Sequence, residues 1–228
     1  MRISRITWGL GIIALALLPS SCTSKLKLAQ SYPNSSSLEA QQKEELVETL
    51  RWEFPKINDK NIEQELQPYV LVKGNSYPLT RFISFDKDLR ANFRMHKLDF
   101  VPYWKLKDHP NIDILYMEGY GYAGNVWSYV VYDEQTKSII RIAFFHKDET
   151  RTYGGDISLD WYQEQYAGAK LVANGQLNYM SNPKREVYQF GDTKIDGTSG
   201  ATVTNNGIQA MFNNMLDNYK ALLLSADQ

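Results

Sequence analysis

The chain has 228 residues and a formal net charge of −1, enough for one well-buried domain and too few for two large ones. That near-neutral charge excludes the electrostatic footprint of a nucleic-acid binder. The single cysteine, Cys22, excludes an intrachain disulfide, and the 15 Tyr, 9 Phe and 5 Trp suit a β-rich core or a flat-ring ligand site.

Residues 1–22 read as a targeting segment. Arg2 and Arg5 form a basic start, Ile6–Leu18 is apolar, and Ser20 and Ser21 precede Cys22. The apolar run of about thirteen residues is shorter than the roughly twenty that span a bilayer as a helix. Cys22 is placed as the lipid acceptor of a bacterial lipoprotein, although Pro19 stands where a leucine is usual. Simple secretion and an uncleaved membrane anchor are the other readings. All three export the rest of the chain to the periplasmic or extracytoplasmic side of the bacterial inner membrane.

Residues 23–37 are polar and read as a tether. Ser36-x-x-Glu39 is a capping-box pattern that predicts a helix to about Phe54, stopped by Pro55. A short helix is predicted over 61–66, ended by Pro68. Between Pro78 and Pro110 the pattern is mixed. Strands are predicted at Ile112–Glu118, Val126–Tyr132 and Ser138–Phe145, the last two joined by the polar loop Asp133–Lys137. Asp148–Asp156 is a loop, and 157–166 reads as a helix or helical turn with Trp161 and Tyr162 inward. Leu171–Val172, Leu177–Tyr179 and Glu186–Phe190 read as short strands. A long helix closes the chain, with Ile208, Met211, Phe212, Met215, Leu216, Tyr219, Leu222 and Leu223 at helical spacing.

Gly119-Tyr-Gly121-Tyr-Ala-Gly124 spells the dinucleotide fingerprint, but a strand follows it, where pyrophosphate binding needs a helix. A glycine-rich β-turn explains it. Gly197-Thr-Ser199-Gly-Ala201 has the form of a nucleophile elbow, but no histidine follows His146 to complete the triad in its usual order. His96, His109 and His146 have no partner at metal-ligand spacing. No catalytic dyad and no metal site is therefore assigned.

What remains is the turn Asp196-Gly-Thr-Ser-Gly-Ala-Thr202, rich in glycine and hydroxyls and feeding a helix. Its free N–H groups and positive helix end suit a phosphate. This stretch resembles the flavinylation motif D-x-x-[ST]-G-A-T of the FMN-binding domain family. Gly121–Trp127 is similar to the family's glycine-rich hairpin entry, and Glu149–Ile157 to its E-T-P-G-L-G loop, with Arg151-Thr152-Tyr153 in place of Pro-Gly-Leu. Trp161 and Gly168–Lys170 follow, as in the C subunit of the sodium-pumping NADH:quinone oxidoreductase. The G subunit of the Rnf complex is the next most similar.

The resemblance implies an α+β fold, a curved antiparallel β-sheet flanked by helices, in one domain over 38–225. It implies FMN esterified through its phosphate to Thr202 by a separate flavin transferase, with Asp196 serving turn capping, or metal and transferase recognition during attachment. Ser199, Gly200 and Ala201 would line the phosphate and ribityl chain. Thr150, Tyr153, Gly154 and Gly155 would cover the ring, with Trp127 either near it or buried in the core. Ser199 and Thr204 otherwise read as helix caps. Membrane-embedded redox subunits are the implied partners. A Rnf-type subunit, a stand-alone flavinylated lipoprotein and a lipid-anchored binding or assembly protein without flavin are the alternatives.

Overall fold

The computed structural model describes residues 34–35, 37–85, 87–95, 98–184 and 186–225. The targeting segment, Cys22, most of the tether, Ser36 of the capping box and His96 lie outside the described residues. In chain order the elements are β1 (Asn34–Ser35), α1 (Ala40–Leu50), α2 (Ile62–Glu65), β2 (Leu66–Val72), β3 (Asn75–Pro78), β4 (Phe82–Ile83), α3 (Lys87–Met95), β5 (Val101–Leu106), β6 (His109–Tyr120), β7 (Asn125–Asp133) and β8 (Ser138–His146). A 3₁₀ turn (Gly154–Ser158), α4 (Asp160–Gln163), a second 3₁₀ turn (Glu164–Tyr166), β9 (Val172–Ala173), β10 (Gln176–Leu177), β11 (Ser181–Lys184), β12 (Val187–Phe190), β13 (Thr193–Asp196) and α5 (Thr202–Ser225) follow.

The body is a six-stranded antiparallel sheet in the order β3-β2-β5-β6-β7-β8, with helices on it, as the α+β expectation requires. All eight apolar residues predicted for the face of α5 are buried, each contributing about 1.5–3 kcal/mol gross. Their face covers the sheet, where Tyr219 Oη donates to Pro102 O at 2.7 Å and accepts from Tyr116 N–H at 3.1 Å. On the opposite face, Glu118 is buried between Arg90 and Arg94 of α3, and Tyr116 Oη donates to it at 2.6 Å.

Three local expectations change. Pro68 does not end a helix but lies inside β2, opposite Trp104 of β5. Pairing with β3 begins only at Tyr69, so no second strand asks for the missing N–H. Residues 157–166 are not one helix but a short helix between two 3₁₀ turns. Within them Tyr162 is buried, while Trp161 points out at 48% exposure. Tyr162 and Tyr166 share a face at i and i+4 and bond through their hydroxyls at 2.9 Å, which turns Trp161 away from the core.

One buried carboxyl sets a pH dependence. Asp113 is fully buried, and its charged partner is a single ammonium. Lys105 Nζ lies 2.7 Å from Oδ1 and 2.6 Å from Glu134. Burial pushes the Asp113 carboxyl up to about 8, with Lys105 opposing and Glu134 reinforcing the shift. A carboxyl raised in the native state holds a proton that the unfolded chain releases near pH 4. Its presence therefore lowers stability progressively as pH rises from about 4 to about 8, and by a constant amount above. Melting temperatures taken across pH 4–9 should fall less steeply for Asp113→Asn than for the parent. Parallel profiles would show that Lys105 keeps the carboxylate charged throughout.

Candidate functional site

The turn that precedes α5 is held by backbone and amide bonds rather than by its hydroxyls. Ala201 N–H donates to Thr198 O at 3.2 Å, and Asn205 N–H to Ala201 O at 2.9 Å. The Asn205 side chain closes the turn reciprocally, accepting from Thr198 N–H at 3.1 Å and donating to Thr198 O at 2.8 Å. Gly200 takes φ +74°, left-handed backbone that favours glycine. Its N–H reaches Glu186 Oε1 at 3.4 Å. Thr202 is the first residue of a 24-residue helix and is half-buried. The first N–H groups of such a helix have no acceptor within it and face outward along the axis.

The loop expected to cover a ring does reach this turn. Gly155 N–H and Tyr153 N–H both bond Thr150 O, at 2.9 and 3.2 Å. Thr152 has φ +68° and donates its N–H to Asp156 Oδ1 at 2.8 Å. The result projects Tyr153 outward, 56% exposed. A Cβ built on Gly200 would lie 3.6 Å from the Tyr153 ring, so Tyr153 stands over the turn. A Cβ on Gly154 would lie 2.6 Å from Thr204 Oγ1. Thr150, Tyr153, Gly154, Gly155, Ser199, Gly200, Ala201 and Thr202 thus form one cluster, in which Ser199 and Gly200 are exposed and Ala201 is buried.

Trp127 sits away from this cluster. Trp127 pairs with Glu118 and Phe145 across the sheet and packs under Arg90, whose guanidinium lies 4.6 Å from the ring centre. It therefore faces α3. The neighbouring register pair, Gly119 and Val126, points to the α5 face, where a Cβ on Gly119 would meet Met211 at 3.1 Å. Asp196 does not cap the turn. Its backbone pairs with the Gln165 side chain, and its carboxylate lies 2.7 Å from Lys194 Nζ with both side chains exposed.

Thr204 is not a helix cap either. Its Oγ1 donates to Glu149 Oε2 at 3.0 Å and accepts from Tyr122 N–H at 3.2 Å. Glu149 Oε1 also accepts from Ala123 N–H at 2.7 Å, so a buried carboxylate ties the hairpin mouth to the first turn of α5. Sequence reasoning assigned Glu149 no role. The available signal was a carboxylate between two glycine-bearing loops. Nearby, Tyr188 Oη donates to Asn206 Oδ1 at 2.7 Å, and burial, with Glu186 adding, raises the pKa of that hydroxyl. Among the described residues no group of acidic, histidine or cysteine side chains is arranged to hold a metal. His109 lies against Phe54, and a ring nitrogen of His146, Nε2, bonds Gly155 O at 3.2 Å.

The residues present fit a phosphate-bearing planar group. The turn offers outward N–H groups, a glycine in left-handed backbone and an exposed aromatic ring. Thr198 Oγ1 adds a buried hydroxyl without a partner. Lys194 pairs with Asp196, while the Glu186 carboxylate lies against the Gly200 N–H.

Comparison with known proteins points the same way. Residues 121–217 match the model of the FMN-binding domain. The C subunit of the Na(+)-translocating NADH-quinone reductase of Chlamydia caviae is 29% identical over 127 residues, 49% of this chain and 40% of that protein. Its counterpart in Vibrio alginolyticus is 28% identical over 109 residues, 47% of this chain and 43% of that protein. The chain thus spans less than half the length of these curated relatives. The solved C subunit from Parabacteroides distasonis superposes with a TM-score of 0.63 at 19% identity, covering 81% of this chain and 92% of that one. NqrC of Shewanella oneidensis gives 0.63 at 15%, covering 83% and 99%. Identities that low show a shared fold, a mixed helix and antiparallel-sheet domain.

Proposed function

Starting from an FMN-binding domain over residues 121–217, we propose an extracytoplasmic electron-transfer flavoprotein whose FMN is held covalently through Thr202. The working unit is residues 38–225, exported by residues 1–22 and tethered by residues 23–37. The observation that carries this reading is the position of Thr202, half-buried at the head of a long helix, beside Gly200 and beneath the Tyr153 loop.

Thr202 Oγ1 forms an ester bond to the flavin phosphate. A flavin transferase would supply that phosphate from a flavin-containing dinucleotide. The threonine oxygen would bond to the flavin phosphorus and the phosphoanhydride P–O bond would break. The nucleoside monophosphate would leave with the electron pair, and the hydroxyl proton would pass to base or solvent. The helix N-terminus then stabilises the phosphodiester anion by about 0.3–1 kcal/mol, up to ~2 when partly buried. Gly200 leaves room for the phosphate, and Tyr153 flanks the ring and sheds water from it. FMN supplies reversible electron acceptance and donation, and the protein supplies attachment, orientation and a fixed field. A covalent tether suits a domain outside the cytoplasm, where lost cofactor is not replaced.

By similarity to the named relatives, the partners are membrane-embedded redox subunits of a sodium-pumping NADH:quinone oxidoreductase. Among the described residues no helix is long and apolar enough to cross a membrane; in this reading the N-terminal segment provides the attachment, through Cys22 or an uncleaved anchor. Cys22 after a short apolar run also favours a second reading, a lipid-anchored carrier that works outside that complex. Expression of the full chain with a flavin transferase, followed by peptide mass mapping, tests the function. The peptide containing Thr202 should carry the mass of FMN less water. A correctly exported, colourless protein without that mass would sink the reading and leave a binding or assembly protein.

A further inference from the structure

We propose that Glu149 is a positioning residue that sets the roll of α5 and thereby decides which threonine of its first turn is presented for modification. The inference rests on the attachment reading above and adds a residue that acts through another. Glu149 is 8% exposed. One oxygen accepts from Ala123 N–H at 2.7 Å and the other from the Thr204 hydroxyl at 3.0 Å. Thr204 Oγ1 in turn accepts from Tyr122 N–H at 3.2 Å.

The space is shaped for this carboxylate. A Cβ on Gly121 would lie 2.3 Å from Glu149 Oε1, and one on Gly154 would lie 2.0 Å from Oε2. Both loops give up a side chain where the carboxylate sits. Glu149 therefore joins the hairpin mouth, the Tyr153 loop and the helix at one point.

Helical geometry supplies the consequence. Successive residues turn by about 100°, so positions two apart point to nearly opposite sides of the helix. Holding Thr204 inward holds Thr202 outward, toward the side reached from solvent. The Thr204 hydroxyl both donates and accepts within the interior, so it is withdrawn as a nucleophile. Glu149→Gln keeps the size but places an amide or its carbonyl opposite Thr204. A donor there leaves the threonine proton without an acceptor, and the charge-assisted bond is lost in either orientation.

The test follows the labelling of purified full-length chain by a flavin transferase over time, with mass mapping of the labelled peptide. Unlabelled samples are melted in parallel. Glu149→Gln should label Thr202 at least tenfold more slowly at a temperature where it is fully folded, with a measurable share of flavin moving to Thr204. Thr204→Ser, which keeps the hydroxyl, should label close to the parental rate. The double variant Glu149→Gln/Thr204→Val should be no slower than Glu149→Gln alone. Labelling of Glu149→Gln at the parental rate and only on Thr202 would overturn the proposal, as would slowing that merely tracks its unfolded fraction. If Glu149→Gln does not fold, Thr204→Val reads the same bond from the other side, and parental-rate labelling there overturns it equally. Persistent flavin on Thr202→Val would instead overturn the attachment reading.

Discussion

Thr202→Val should leave the matured chain dark on a denaturing gel under ultraviolet light, while Ser199→Ala and Thr204→Val become fluorescent at the end point. Valine has nearly the shape of threonine and is an acceptable first helical residue, so the fold loses little and the hydroxyl alone is removed. The other hydroxyls in the turn differ in what they can reach. Thr198 is 3% exposed, with its side chain closed inside the turn. Thr204 is bound to Glu149 and Tyr122. Ser199 is exposed, but it precedes the helix and lacks the position at the head of its aligned N–H groups. Fluorescence retained in Thr202→Val would move the attachment to another residue.

Gly207→Ala should lower the melting temperature, against the intrinsic preference of helices. In an exposed helix interior, alanine is favoured over glycine by about 0.8–1 kcal/mol. Here the added Cβ would lie 1.9 Å from the carbonyl oxygen of Tyr120 and 3.1 Å from its carbonyl carbon. Both are backbone atoms at the end of β6, so no flexible side chain can yield. Overpacking of a close contact costs about 1–3 kcal/mol, occasionally more, and with a rigid neighbour we expect the upper part of that range. For a domain of this size that corresponds to roughly 5–10 °C. The displaced segment runs directly into Gly121, Tyr122 and Ala123, and the N–H groups of Tyr122 and Ala123 reach Thr204 and Glu149, so flavin labelling should slow as well. An unchanged or higher melting temperature would show that α5 and β6 separate without penalty.

Much of this molecule is written locally. The apolar spacing from Ile208 to Leu223 specifies the buried face of α5, and the β-branched and aromatic runs specify the hairpin of β7 and β8. The turn from Asp196 to Thr202 announces itself by glycines and hydroxyls ahead of a helix. Its resemblance to a flavinylation motif, with the Glu149–Ile157 loop, named the cofactor. The pattern is mixed from Pro78 to Pro110, and before it the sequence marks no strand at Leu66–Val72. β2 there pairs with its neighbour β3 but also with the distant β5, and Pro68, a local helix stop, is tolerated inside β2 because only β5 pairs there.

The site shows the same division. The sequence by itself determined that a small-residue turn enters a long amphipathic helix and that Thr202 heads it. Only the tertiary structure decided what holds that threonine in place. The Glu149–Thr204 bond joins residues 55 apart in sequence, and the glycines at 121, 154 and 207 are needed because of atoms from other segments. Side-chain direction divided in the same way. Of the two readings of Trp127, beside a ring or in the core, strand register selects the buried face toward α3, and Trp161, expected inward, is turned to solvent by the Tyr162–Tyr166 pair. Periodicity and turn chemistry are properties of neighbours along the chain. The approach of a backbone carbonyl to a helix, or of a carboxylate to a hydroxyl, exists only once the sheet and α5 have packed together.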